Sequence, residues 1–163
     1  MAIGINGLGR IGRLVIKDFF RGTNRKLSHT TLDISHLNDP NCDAETLCHL
    51  LKYDSVHGIW NASIKTVGHD RISINGNELR LTNFINPSDV DWSDSECNLV
   101  LDCTGKFLSK EKLQGYFDKD IKKVIVSAPI NNPEILNIVF GVNDHLYDPS
   151  KYDIVTAASC TTN

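Results

Sequence analysis

The chain has 163 residues, a formal net charge of −3, 40% hydrophobic and 23% charged residues, the proportions of one globular domain able to bury a core. That charge leaves no basic footprint for nucleic acid, and no apolar run reaches the roughly 18 residues of a membrane-spanning helix. Five cysteines without a Cys-x-x-Cys pair, and six scattered histidines, argue against a disulfide framework or a metal site and for a reducing cytoplasm.

Met1-Ala2-Ile3-Gly4-Ile5-Asn6 carries no basic leader and reads as a first strand rather than a signal peptide. Gly7-Leu8-Gly9-Arg10-Ile11-Gly12 follows at once, then a segment to Phe20 with Ile11, Leu14, Val15 and Phe19 at helical spacing. Strand, glycine-rich turn and helix in that order give each glycine a task. Gly7 allows the tight turn, Gly9 lets the backbone approach a pyrophosphate, and Gly12 lets the helix pack on the strand. The helix N-terminus then offers free N–H groups to phosphate. A tight turn without a ligand is the alternative on these residues alone.

Residues 21–30 read as a long loop and Thr30 to Leu37 as a second strand, ending at Asn38-Asp39-Pro40. An acid at that strand end suits the ribose hydroxyls of NAD and repels the 2′-phosphate of NADP. Asp39 lies 27 residues after Gly12, beyond the usual spacing of about 20, and capping of the next helix is its alternative role. Asp43 to Lys52 predicts a helix with Asp43 as N-cap. Tyr53 to Gly58 is turn-like. Ala62 to Val67, Arg71 to Asn75 and Glu78 to Thr82, with Asn75-Gly76 between the last two, predict an antiparallel hairpin insertion. Pro87 to Trp92 is a connector, with Trp92 as a packing anchor.

Asn98 to Asp102 predicts a buried strand opening onto Cys103-Thr104-Gly105, small residues suited to a ligand crevice. Ser109 caps a helix to about Lys119. Lys122 to Ser127, Ile135 to Val142 and Tyr152 to Ala157 predict three more strands. The expected fold class is α/β: a doubly wound, Rossmann-type, largely parallel sheet with an antiparallel hairpin insertion. The last strand delivers Ser159-Cys160-Thr161. A thiol between hydroxyl residues at a strand end is either a nucleophile or a buried structural cysteine.

Taken together, Gly4 to Arg13, Asn38-Asp39-Pro40, Tyr53-Asp54-Ser55-Val56-His57-Gly58, Cys103-Thr104-Gly105, Ser127-Ala128-Pro129, Gly141-Val142-Asn143 and Ala158 to Asn163 resemble the glyceraldehyde-3-phosphate dehydrogenase family. The resemblance covers that family's N-terminal, NAD-binding half, so residues 1–163 are expected to form an NAD-binding domain ending at the catalytic cysteine motif, with the C-terminal catalytic domain absent. It implies an NAD-dependent oxidoreductase of glycolysis or gluconeogenesis acting on a phosphorylated aldehyde with inorganic phosphate. It implies NAD contacts at Gly7, Gly9, Arg10, Ile11, Gly12, Asp39, Thr104, Gly105 and Ser127, a nucleophile at Cys160, substrate or phosphate contacts at Ser159 and Thr161, and a homotetramer when full length. The histidine base is expected downstream. Absence of the family's last helix is expected to leave an apolar patch exposed.

Three positions depart from the family pattern. Leu8 replaces a usual Phe, the loop before the second strand is longer, and Ile85 stands where a basic residue often reaches the cofactor. Other segments resemble the erythrose-4-phosphate branch (His49 to Asp54, Leu101 to Gly105) and arsenate-linked relatives (Ser55 to Trp60). A non-catalytic nucleotide-binding module and a thiol redox sensor are the readings from other classes.

Overall fold

A computed structural model describes residues 1–21, 26–27 and 30–158. In chain order its elements are β1 (Ala2–Asn6), α1 (Arg10–Arg21), β2 (Lys26–Leu27), β3 (Thr30–Thr31), β4 (Asp33–Asn38), α2 (Ala44–Lys52), β5 (Tyr53–Asp54), β6 (Gly58–Ile59), β7 (Ile64–Thr66), β8 (Arg71–Ile74), β9 (Asn77–Thr82), β10 (Cys97–Asp102), α3 (Lys110–Phe117), β11 (Lys123–Val126), β12 (Leu136–Asn137) and β13 (Ile154–Thr156). One sheet runs β12-β13-β11-β10-β1-β4-β9-β8-β7. It is parallel from β12 through β9 and antiparallel only at β8 and β7. The α/β, doubly wound expectation therefore holds. The hairpin segment is not a separate decoration, because β9 joins β4 in parallel and carries β8 and β7 out as the sheet's edge.

The sheet buries a different core on each face. Ile5 and Leu37 pack with Ile16 and Phe20 of α1 and Leu47 and Leu51 of α2 on one side. Val100, Val124 and Val126 pack with Trp92 and with Leu113 and Tyr116 of α3 on the other. Gly4 shows why side-chain volume is rationed here. A Cβ on it would lie 2.7 Å from the Trp92 ring, so the indole occupies the space a side chain would need. Trp92 is fully buried and donates from Nε1 to the Pro87 carbonyl at 3.3 Å, the packing role expected of it. In β4 the pairing with β1 skips Ser35. This bulge keeps Ile34 and Leu37 on the first core while His36 and Asn38 point to the opposite face.

The caps fall where the side chains allow them. Asp43 accepts from the Thr46 N–H at 2.7 Å and Ser109 from the Lys112 N–H at 3.4 Å, satisfying donors that the first helical turn leaves open. At the β8–β9 turn, Asn75 and Gly76 both take positive φ, as a two-residue hairpin demands.

Four expectations need correction. Residues 30–37 are not one strand: Thr30–Thr31 pair back on Lys26–Leu27 in an antiparallel ladder, and the sheet strand is Asp33–Asn38. Tyr53–Asp54 pair with Gly58–Ile59 rather than forming a bare turn. On α1 the buried apolar side chains are Ile16 and Phe20, while Ile11 is 52% exposed because it sits at the helix start beside a cleft. Residues 135–142 form only the two-residue β12. Beyond it the Asn143 side chain accepts from the Val139 N–H at 2.7 Å and donates to the Asn137 carbonyl at 3.0 Å. These bonds take backbone groups a ladder would need, and Gly141 turns the chain at φ +80°.

One part of the sheet lacks a covering layer among the described residues. Leu99, Ile125, Ile138 and Val155 line an apolar groove of about 640 Å³. Phe140 beside it is 88% exposed.

Candidate functional site

The sheet reverses its winding at β1: the chain passes first to β4 on one side and later to β10 on the other. Such a switch point opens a crevice at the strands' C-terminal ends. A cleft of about 430 Å³ lies there, lined by Asn6, Gly7, Gly9, Asp39, Ile85 and Thr104 among others.

Its floor is the glycine turn. Gly7 continues the ladder by donating to the Asn38 carbonyl at 2.8 Å and takes φ +91°, with a Cβ there lying 2.7 Å from the Thr104 nitrogen. Gly12 is tighter still, since a Cβ would stand 2.1 Å from the Gly7 carbonyl oxygen. Gly9 differs from both: a Cβ there would meet nothing within 4 Å, and the residue borders the cleft. Two glycines are thus consumed by packing, and the third leaves backbone open to a ligand. Arg10 and Ile11 are exposed at the start of α1, whose first turn holds no acidic residue, leaving its N–H groups and partial positive charge open to an anion.

Asp39 stands at the end of β4. Its carboxylate accepts from the Leu8 N–H at 2.8 Å and the Asn41 N–H at 2.9 Å, which fixes it at the cleft's edge. The capping alternative for Asp39 falls, because Asp43 caps α2. On the other wall Cys103 donates its N–H to the Asn6 carbonyl at 2.7 Å. Thr104 is held by Asp102, whose Oδ1 accepts from its N–H at 2.9 Å and its hydroxyl at 2.7 Å. Gly105 takes φ +66° with open space around it, and Ser127 donates its N–H to the Asp102 carbonyl at 2.9 Å, but neither lines the cleft itself. The Cys103 thiol borders the cleft, but burial, then the neighbouring Asp102, push its pKa up to about 11, so it stays a neutral thiol rather than a nucleophile. Ile85 does line the cleft, and so do Lys106 and Lys112 from the opposite wall.

The predicted nucleophile, Cys160, and its neighbours Ser159 and Thr161 lie outside the described residues. Strand β13 leads to them, and Ala158, the last described residue, has φ +55° and donates to the Thr156 hydroxyl at 3.1 Å. Among the described residues no group of three or more His, Cys, Asp or Glu side chains is placed to hold a metal, and no helix is long and apolar enough to cross a membrane.

Sequence reasoning missed the polar layer beneath the cleft: Asn6, Asn38, Asp102 and Tyr116, each at most 1% exposed. Its signal was present in the repeated pattern of apolar strands ending in Asn or Asp (Ile5-Asn6, Leu37-Asn38, Leu101-Asp102).

Residues 1–110 match the family model described as glyceraldehyde 3-phosphate dehydrogenase, NAD binding domain. The chain belongs to the glyceraldehyde-3-phosphate dehydrogenase family. Over 161 residues, 99% of the chain, it is 44% identical to glyceraldehyde-3-phosphate dehydrogenase 3 of Nostoc sp. and 40% identical to the Geobacillus stearothermophilus enzyme, in each case covering 45% of the relative. A chloroplastic relative from Arabidopsis thaliana is 37% identical, with 36% of its length covered. The chain thus spans about half the length or less of the relatives it matches. The glycine turn, α1 start and Asp39 fall inside the NAD binding domain match, and the cleft they form has the open backbone edge at Gly9 that an NAD pyrophosphate needs.

Proposed function

We propose that this chain is the cofactor-binding part of a phosphorylating aldehyde dehydrogenase that oxidises glyceraldehyde 3-phosphate with NAD and inorganic phosphate. The observation that carries the reading is the contrast among the three glycines, with Gly7 and Gly12 closed by their neighbours and Gly9 open to the cleft. In this reading Gly9, Arg10 and Ile11 present backbone N–H groups to the pyrophosphate, Asp39 accepts from ribose hydroxyls and disfavours a 2′-phosphate, and Thr104 stands on the facing wall, with Gly105 and Ser127 as further cofactor contacts beyond it. When bound, NAD supplies the hydride acceptor.

Cys160 acts as a thiolate. Its sulfur bonds to the aldehyde carbon, and the carbonyl oxygen takes a proton to give a hemithioacetal. Loss of hydride from that carbon and of the hydroxyl proton to a base leaves a thioester on Cys160. A phosphate oxygen then bonds to the acyl carbon as the carbon–sulfur bond breaks, giving an acyl phosphate and returning the thiolate. Ser159 and Thr161 contact the substrate or phosphate. The family's histidine base has no motif counterpart among this chain's histidines, so the 163 residues alone are expected to bind cofactor without turnover. The complete protein is expected to work as a homotetramer in the cytoplasm.

Alkylation of Cys160 followed by mass spectrometry across pH tests its role. The reading expects half-maximal rate below the ordinary thiol pKa of about 8.5. A rate that rises only above it speaks against an activated nucleophile.

A further inference from the structure

The four polar side chains under the cleft form one continuous hydrogen-bonded chain. Tyr116, on α3, donates its hydroxyl to Asp102 Oδ2 at 2.7 Å and accepts from Asn6 Nδ2 at 2.6 Å. Asn6 Oδ1 in turn accepts from Asn38 Nδ2 at 2.8 Å. At one end, Asp102 Oδ1 holds the N–H and hydroxyl of Thr104, and the Thr104 hydroxyl accepts from the Lys106 N–H at 3.1 Å. At the other, Asn38 accepts from the Phe84 N–H at 3.0 Å and donates to the Phe84 carbonyl at 3.0 Å. That second pair fixes the strand exit that leads into Ile85 and Asn86, which line the cleft.

We propose that Tyr116 is a positioning residue for the cofactor cleft: its hydroxyl joins the arm holding the Thr104 wall to the arm holding the Phe84–Asn86 wall. The inference rests on the reading of this cleft as the NAD site. Tyr116 is fully buried and touches no cleft surface, so it acts only through Asp102 and Asn6. Apolar side chains would serve a purely structural floor as well as a buried polar layer does. A fully satisfied polar layer instead fixes one geometry, since each bond has a direction. Three strand ends and one helix meet in it, so a change at Tyr116 reaches both walls.

The test uses the chain itself, with Tyr116→Phe, which keeps the ring in the core, and Asp102→Asn as a second variant should the first fold poorly. Near-ultraviolet circular dichroism sets a temperature at which each is folded. NADH fluorescence titration is expected to show affinity weakened about fivefold or more, because Asn6 and Asp102 each lose a buried partner. In ¹⁵N–¹H spectra the Thr104 backbone amide and the Asn38 side-chain amide are both expected to shift, though the Tyr116 hydroxyl touches neither. Affinity within twofold of the parent, or shifts confined to Asn6, overturns the proposal. A flat titration in the parent chain as well overturns the cofactor reading and removes the positioning role with it, even if the spectral coupling is seen.

Discussion

Substituting alanine at Gly9 and at Gly12 separates what the glycine turn does for folding from what it does for binding. The added atom is the same methyl group, but the surroundings differ. At Gly12 the Cβ would lie 2.1 Å from the Gly7 carbonyl oxygen, well inside contact distance, and the obstacle is backbone that cannot rotate away. Either α1 lifts from β1 or the turn distorts. Overpacking of this kind costs about 1–3 kcal/mol, which for a domain of this size lowers Tm by roughly 2–12 °C. At Gly9 the Cβ would meet nothing within 4 Å, so stability should stay within about 0.5 kcal/mol of the parent. The methyl group enters the cleft, however, where a pyrophosphate must approach the backbone, and NADH affinity should fall about tenfold or more, some 1.4 kcal/mol. Thermal denaturation and NADH fluorescence titration on both variants read the two effects separately. Gly12→Ala melting with the parent, or Gly9→Ala binding NADH as tightly as a parent that binds it, would contradict these separate roles.

Burial, and then Arg80, lower the His36 pKa from 6.5 to about 4, so the native ring is neutral at pH 7 while the unfolded chain begins to protonate below 6.5; this stability is present above pH 6.5 and is lost as pH falls toward 4, by up to about 3 kcal/mol. Urea midpoints at pH 7.5 and 4.5 should therefore converge in His36→Gln relative to the parent, and an equal pH dependence in both proteins would contradict it. Asp39→Asn should weaken NAD binding while narrowing the preference over NADP, as calorimetric titration of both cofactors checks; an unchanged ratio would remove Asp39 from the ribose site. Phe140, 88% exposed beside the apolar groove, should drive association of the isolated chain. Sedimentation at rising concentration should show mass growing, and less so in Phe140→Asp; a monomer at all concentrations would refute this.

Local chemistry made much of the fold legible. The caps Asp43 and Ser109, the Asn75-Gly76 turn and the strand–glycine–helix start act within a few residues of themselves, and each formed where its side chains dictate. The run from Ile135 to Val142 misled because apolar content says nothing about whether a ladder partner is present, and there Asn137 and Asn143 bind the backbone instead. The same limit hid the layer under the cleft. Asn6 and Tyr116 are 110 residues apart in sequence, and only the sheet order brings them together. Gly7, Gly9, Gly12 and Asp39 could be singled out as candidates because they lie in one short strand–turn–helix unit and the strand that follows it. What surrounds Asp39, the Leu8 N–H above all, was not.

Cofactor binding in this cleft is tested most directly by NADH titration followed in ¹⁵N–¹H spectra of the isolated chain. Saturation at one NADH per chain is expected, with the largest shifts at the Gly9, Ile11, Asp39 and Thr104 amides. Saturable binding that shifts amides elsewhere, or no saturable shift at all, would contradict it.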